Sequence, residues 1–142
     1  VVDRDGILVI SDYAHHPSEI AALIRAARPL AAGRLLAVFQ PHRYTRTKYF
    51  MDDFVSSLKG ADRIVILPVY AASESENEGI PSEILIEKSR VVYGEKIIAA
   101  KDLEDAVDIL CKFVEPGSVI LTLGAGSVSR IGDMYLEKRQ SS

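Results

Sequence analysis

An α/β fold is predicted for this chain: a doubly wound, mostly parallel sheet with helices on both faces, Rossmann-like and built as a single domain. Three observations predict it. Five short apolar runs of strand length alternate with amphipathic helical patterns. The stretches between them are short and free of repeats, linkers and low-complexity segments. At 142 residues, 48% of them apolar and 26% charged, the chain has the size and content of one well-filled core under a soluble surface.

Val1-Val2 and the run Ile7 to Ile10 flank Asp3-Arg4-Asp5-Gly6, a turn feeding the first strand. Pro17 suits the first position of a helix, because its missing N–H is one that a helix start leaves unbonded. Ile20, Leu23, Ile24, Ala27 and Ala31 then recur at helical spacing until Gly33 stops the helix. Leu35 to Phe39 is the second strand. A second helix is expected from about Thr47, with Phe50, Met51, Phe54, Val55 and Leu58 on one face and Gly60 at its end. Ile64 to Leu67 reads as a third, buried strand, and Ala71 to Gly79 as an acidic, Ser-rich loop. Pro81 starts a helix running through about Arg90, and Lys96 to Ala99 is a short fourth strand. Asp102 caps a helix carrying Leu103, Ala106, Val107, Leu110 and Cys111, closed by Pro116-Gly117. Val119 to Leu123 is the fifth strand, and Ser127 opens a last helix using Val128, Ile131, Met134 and Tyr135.

A formal net charge of -3 gives no reason to expect a nucleic-acid or membrane partner, although Arg43, Arg46 and Lys48 form a local basic patch. No apolar run has the length of a bilayer, and no signal-peptide pattern opens the chain. The lone Cys111 sits at an apolar helical position, as a buried thiol in a reducing cytoplasm would. Because the chain begins at Val1-Val2, without a methionine and directly in strand-like sequence, it is expected to be a domain of a longer protein.

Function is sought where strands end, since ligands in this architecture bind at the carboxyl ends of parallel strands. Ser11-Asp12-Tyr13-Ala14-His15-His16-Pro17 and Pro41-His42-Arg43-Tyr44-Thr45-Arg46-Thr47 each follow a strand and precede a helical pattern, and together they hold all three histidines of the chain. In the first loop, Asp12 is either a helix cap beside ordinary surface histidines, or a ribose acceptor with Tyr13 and His15 on a carboxylate or phosphate. Adjacent histidines point to different sides of an extended chain, which argues against a shared metal. In the second loop, His42, Arg43, Arg46 and Lys48 crowd cations at a helix start, the end that least favours them, so an anion between them is expected. The third loop, Leu123-Gly124-Ala125-Gly126-Ser127, resembles the start of a dinucleotide fingerprint but has Ser129 where the third glycine belongs. By itself it is a tight turn, and no phosphate-loop motif occurs in the chain.

Taken together and in order, Ser11-Asp-Tyr-Ala-His-His-Pro17, Phe39-Gln-Pro-His-Arg-Tyr-Thr-Arg-Thr47, Val69-Tyr-Ala-Ala72 and Leu123-Gly-Ala-Gly126 resemble the carboxy-terminal domain of the Mur ligases of peptidoglycan synthesis. The likeness runs from about Gly6 to Met134. Within the family, Pro-His-Arg-Tyr-x-Arg favours the branch that adds alanine over the branch that attaches a ready-made tripeptide, which shares Asp-x-Ala-His-His-Pro.

The resemblance implies the last part of a three-domain, ATP-dependent ligase that joins L-alanine to UDP-N-acetylmuramate through an acyl phosphate, in the bacterial cytoplasm. It places the UDP-sugar on an amino-terminal domain, and the ATP phosphate loop and Mg²⁺ ligands on a central one. No catalytic residue, metal ligand or cofactor is therefore assigned here, and the domain alone is expected to be inactive. By position, the resemblance gives Asp12 the nucleotide ribose, and Tyr13, His15, Arg43 and Arg46 the alanine and its carboxylate. Gly124, Ala125 and Gly126 would shape the small pocket for a methyl side chain. The alternative from another class is a free-standing α/β module that recognises a phosphosugar or amino acid without catalysis. A nicotinamide-dependent oxidoreductase is disfavoured by the broken glycine pattern.

Overall fold

In the computed structural model, residues 6–70 and 82–140 are described, with the backbone alone at residues 44–46. The strand-like Val1-Val2, the turn residues Asp3 to Asp5, the acidic loop 71–79 and the helix start at Pro81 lie outside the described residues.

The five strands are β1 (Leu8–Asp12), β2 (Leu35–Phe39), β3 (Arg63–Ile66), β4 (Ile97–Ala99) and β5 (Val119–Leu123). They form one sheet in the order β1-β5-β2-β3-β4, and every ladder is parallel. The helices are α1 (Pro17–Ala27), α2 (Tyr44–Tyr49), α3 (Met51–Ser57), α4 (Ser82–Tyr93), α5 (Leu103–Phe113) and α6 (Ile131–Gln140). Because side chains alternate along a strand, the sheet feeds two separate cores. Leu35, Ala37 and Phe39 meet Ile20 and Ile24 of α1, Phe54 and Leu58 at α3, and Leu85 of α4. Leu36, Val38 and Ile120 meet Val107 and Leu110 of α5 and Ile131 and Tyr135 of α6. The sandwich of helices on both faces is the one predicted, and the continuous apolar run of β2 follows from its burial on both sides.

Strand order has a consequence for function. β5 returns to lie between β1 and β2, so its loop turns to the α6 face while the loops after β1 and β2 turn to the α1 and α3 face. In open parallel sheets, ligands bind outside the carboxyl ends of the strands where loops part in this way.

Several boundaries differ from the sequence pattern, each for a local reason. α1 ends at Ala27, short of the expected Gly33, and Arg28–Leu30 forms a 3-10 turn. Pro29 lacks the N–H the next helical bond needs. The second helix begins at Tyr44, ahead of Thr47, and breaks at Phe50 (φ -110°, ψ 24°) into α2 and α3. A 3-10 turn, Ser127–Arg130, precedes the last helix. Asp102 caps α5 as predicted, accepting the Asp105 N–H at 2.8 Å. Cys111 is only half-buried, and burial, with Asp108 adding to it and Lys138 opposing it, pushes its thiol pKa up, which disfavours the reactive thiolate.

At the opposite, amino edge, one carboxylate ties two elements together. Asp62 Oδ2 accepts from Arg28 Nη1 and from the Leu35 N–H, both at 2.8 Å, anchoring the end of α1 to the start of β2. Burial alone would raise the Asp62 pKa, but the Arg28 and Leu35 hydrogen bonds and the charges of Arg28 and Lys96 outweigh it and hold the carboxyl below its ordinary value. A depressed folded pKa means the contribution is complete above the unfolded value and is lost as pH falls through the folded one. Asp62→Ala is expected to cost about 1 kcal/mol at neutral pH, allowing for the partial exposure of the pair. Urea midpoints of both proteins check this: their difference should hold from pH 7 to about 5 and shrink below about 4. A difference that grows on acidification would contradict it.

Candidate functional site

The site is built by backbone hydrogen bonds that continue the sheet past its strands. Gly124 N–H donates to Asp12 C=O at 3.2 Å, Gln40 N–H to Leu123 C=O at 3.1 Å, and Leu67 N–H to Phe39 C=O at 2.9 Å. The loops after β1, β5, β2 and β3 are thereby locked side by side. Gln40, buried, seals the second to the third, since its Oε1 accepts the Val128 N–H at 2.9 Å and its Nε2 donates to Ser127 Oγ at 3.2 Å. Two glycines let the loops come this close. A Cβ at Gly124, where φ is +150°, would sit 2.7 Å from Val128 Cγ1 and 3.0 Å from Gln40 O, and one at Gly126 would sit 2.6 Å from Tyr70 Cγ.

In the first loop, Asp12 is the last residue of β1, paired with Leu123, and not part of the following loop as expected. Its Oδ1 accepts the Ala14 N–H at 2.9 Å, an Asx turn. The helix-cap reading of Asp12 is therefore replaced: His16 holds the N-cap position of α1, where Glu19 Oε1 accepts its N–H at 3.2 Å. Asp12 is exposed at the rim, and Tyr13 beside it is 70% exposed. The two adjacent histidines do diverge. His16 packs on Phe50 (ring centroids 5.0 Å), while His15 turns toward His42 of the loop after β2 (5.8 Å).

The second loop carries backbone strain. Arg43 has φ +66°, the left-handed region that costs a residue with a Cβ roughly 1–2 kcal/mol, and among the described residues it is the one non-glycine there. Three bonds hold it: its N–H donates to Tyr70 C=O at 2.7 Å, and its C=O accepts the Thr47 N–H at 3.2 Å and Thr47 Oγ1 at 2.8 Å. Thr47 is fully buried and Arg43 exposed, so the backbone is fixed while the guanidinium faces out. Arg46 is the third residue of α2, and its side chain lies outside the described residues. With only six residues, α2 offers a weaker positive end than the sequence pattern promised, so the cations of this loop have themselves to supply most of the field.

A model of the family described as "Mur ligase, glutamate ligase domain" matches residues 1–126. The chain belongs to the Mur ligase family. It is similar to the UDP-N-acetylmuramate–L-alanine ligases of Acetivibrio thermocellus (44% identical over 137 residues, 96% of this chain) and Koribacter versatilis (45% over 134 residues, 94%). It spans 29% of the length of each. Among solved structures it resembles the UDP-N-acetylmuramate–alanine ligase of Thermotoga maritima, with TM-score 0.76 and 26% identity, covering 99% of this chain and 29% of that one. A murein peptide ligase from Psychrobacter arcticus, 22% identical with TM-score 0.76, shares the fold over 96% of this chain and 28% of its own.

In this Mur ligase domain the expected site residues lie at the carboxyl edge of the sheet: Asp12, Tyr13 and His15 at and after the end of β1, Arg43 after β2, and Gly124-Ala125-Gly126 after β5, the strand between them. Ala125 is partly buried. Among the described residues no three His, Cys, Asp or Glu side chains converge as a metal site would need, and no helix is long and apolar enough to cross a membrane. Sequence reasoning passed over Gln40 and gave no separate role to Tyr70. A glutamine placed directly after an all-apolar strand and before Pro41 was the available signal for the first. Arg43→Gly removes the strain and the guanidinium together, and is expected to raise stability by up to about 1 kcal/mol once the extra unfolded-state freedom of glycine is subtracted. Urea unfolding of the two proteins measures this. A loss of more than about 1 kcal/mol would mean that the arginine side chain holds the fold and is not reserved for a ligand.

Proposed function

We propose that this chain is the closing, amino-acid-binding part of an ATP-dependent ligase that joins L-alanine to UDP-N-acetylmuramate in the cytoplasm of a bacterium. The observation that carries this reading is identity above 40% over nearly the whole chain to enzymes named for that reaction. The geometry supports it. An amide-forming ligase that works through an acyl phosphate has to bring a carboxylate-bearing nucleophile against a dense anionic centre, which asks for positioning and charge neutralisation more than for a proton-transfer residue. The carboxyl rim offers those means.

Arg43 presents a planar fork able to grip a carboxylate with two parallel bonds, and Arg46 would be its companion. Tyr13 and His15 would line the other side of the amino acid, with Ala125 and its glycines limiting the space for the side chain. Asp12, with Oδ1 on the Ala14 N–H and its second oxygen at the exposed rim, suits the ribose hydroxyls of the nucleotide. ATP and Mg²⁺, when bound, supply the activated phosphoryl group and its neutralisation, and the parts of the longer enzyme that hold them and the UDP-sugar would be this domain's partners. A free Cys111 accords with a reducing compartment.

Two sets of kinetics in the full-length enzyme check the roles. Arg43→Lys and Arg46→Lys should each keep the fold and lower efficiency toward L-alanine by about tenfold or more, because a point charge replaces a fork. Unchanged efficiency in both would return the arginines to the solvated surface. Asp12→Ala should weaken apparent ATP affinity by about 1.5–3 kcal/mol, the usual worth of a hydrogen bond to a charged group, with the alanine requirement nearly unchanged. An unmoved Michaelis constant for ATP would remove the ribose role.

A further inference from the structure

We propose that Tyr70, in the segment that follows β3, is a positioning residue of the amino-acid site: its ring, packed against His42 and Gly126, keeps Arg43 and the His42–His15 row in their working places. The inference rests on the reading of Arg43 and His15 as amino-acid contacts and adds to it a residue that touches no substrate.

Three observations converge on Tyr70. Its backbone brackets His42, donating to Pro41 C=O at 2.8 Å and accepting from Arg43 N–H at 2.7 Å, so the two loops pair as a short parallel bridge. Its ring stacks on His42, with centroids 5.6 Å apart and planes 16° apart, and His42 in turn stands 5.8 Å from His15 of the loop after β1. The same ring fills the space a Cβ at Gly126 would take, 2.6 Å from Tyr70 Cγ, so it is wedged against the loop after β5.

The strain at Arg43 explains why such a wedge matters. An arginine at φ +66° has a lower-energy alternative near −60°, and a shift of Tyr70 that released its carbonyl would leave only the two Thr47 bonds holding it. A change of that size at the backbone swings the guanidinium by several ångströms, and misplacement of about 1 Å can cost on the order of a hundredfold in rate. The ring, not the hydroxyl, makes the contacts with His42 and Gly126.

Steady-state kinetics of the full-length enzyme test this with Tyr70→Ala, Tyr70→Leu and Tyr70→Phe, beside Arg43→Lys. Removing the flat ring in Tyr70→Ala and Tyr70→Leu is expected to raise the Michaelis constant for L-alanine about tenfold while leaving that for ATP within about twofold, and Tyr70→Phe should match the wild type. Leucine keeps apolar bulk, so it decides the matter where alanine fails to fold. The proposal is overturned if the constant for L-alanine is unchanged, if all substrates are affected equally, or if phenylalanine is as impaired as leucine. Arg43→Lys separates the two levels. Should it raise the alanine constant while the Tyr70 variants do not, Tyr70 alone is misassigned; should neither move it, the amino-acid site itself is wrong.

Discussion

The hydrogen-bond ladder that runs on beyond the ends of β1, β5, β2 and β3 is the constraint on which the site depends. A loop at the end of an ordinary strand is free to wander, but here Gly124, Gln40 and Leu67 donate to the last residues of neighbouring strands, so four loops leave the sheet in register. The buried Gln40 amide then fixes the β5 loop to the β2 loop at the level of Ser127 and Val128. A buried, satisfied side-chain amide specifies one arrangement, because any other leaves polar groups without partners in a dry place. Removal of Gln40 would leave the Val128 N–H in that state.

Rigidity of this kind is what lets the protein hold Arg43 in a costly conformation. The left-handed turn at Arg43 would relax in a mobile loop, and it persists because Tyr70 and the buried Thr47 bind its amide and carbonyl from both sides. Strain, clustered aromatic rings and cationic side chains coincide at the carboxyl rim, while the amino edge carries an ion pair, Arg28 with Asp62, whose work is to join α1 to β2. The ion pair that joins two elements and the strained, cation-bearing loop thus lie at opposite ends of the sheet, and in open parallel sheets ligands bind at the carboxyl end.

How much of this was legible in the sequence depends on the range of the interaction. The strands Leu35 to Phe39 and Val119 to Leu123 were readable residue for residue, since burial on both faces leaves an unbroken apolar run. The end of α1 was misjudged because apolar spacing continued past Pro29, whose missing N–H decided the matter. The early start of α2 was hidden since Tyr44 to Lys48 has no apolar period of its own, and it depends on Thr47 bonding back to Arg43. The members of the site were visible as types placed after strands. Their grouping was not: that His15 faces His42 while His16 faces Phe50, and that Tyr70 reaches Gly126, are contacts set by strand order, in which β5 comes to lie between β1 and β2.

On the proposed function, the carboxyl rim, and not the amino edge, meets the reacting groups. Hydrogen exchange of the full-length protein, with and without nucleotide, L-alanine and the UDP-sugar together, tests it most directly. Slowed exchange is expected at amides of residues 12–16, 40–47 and 124–128, with residues 28–34, 59–62 and 115–118 at the amino edge unchanged. Protection confined to the amino edge, or none at the rim under saturating substrates, would contradict the account.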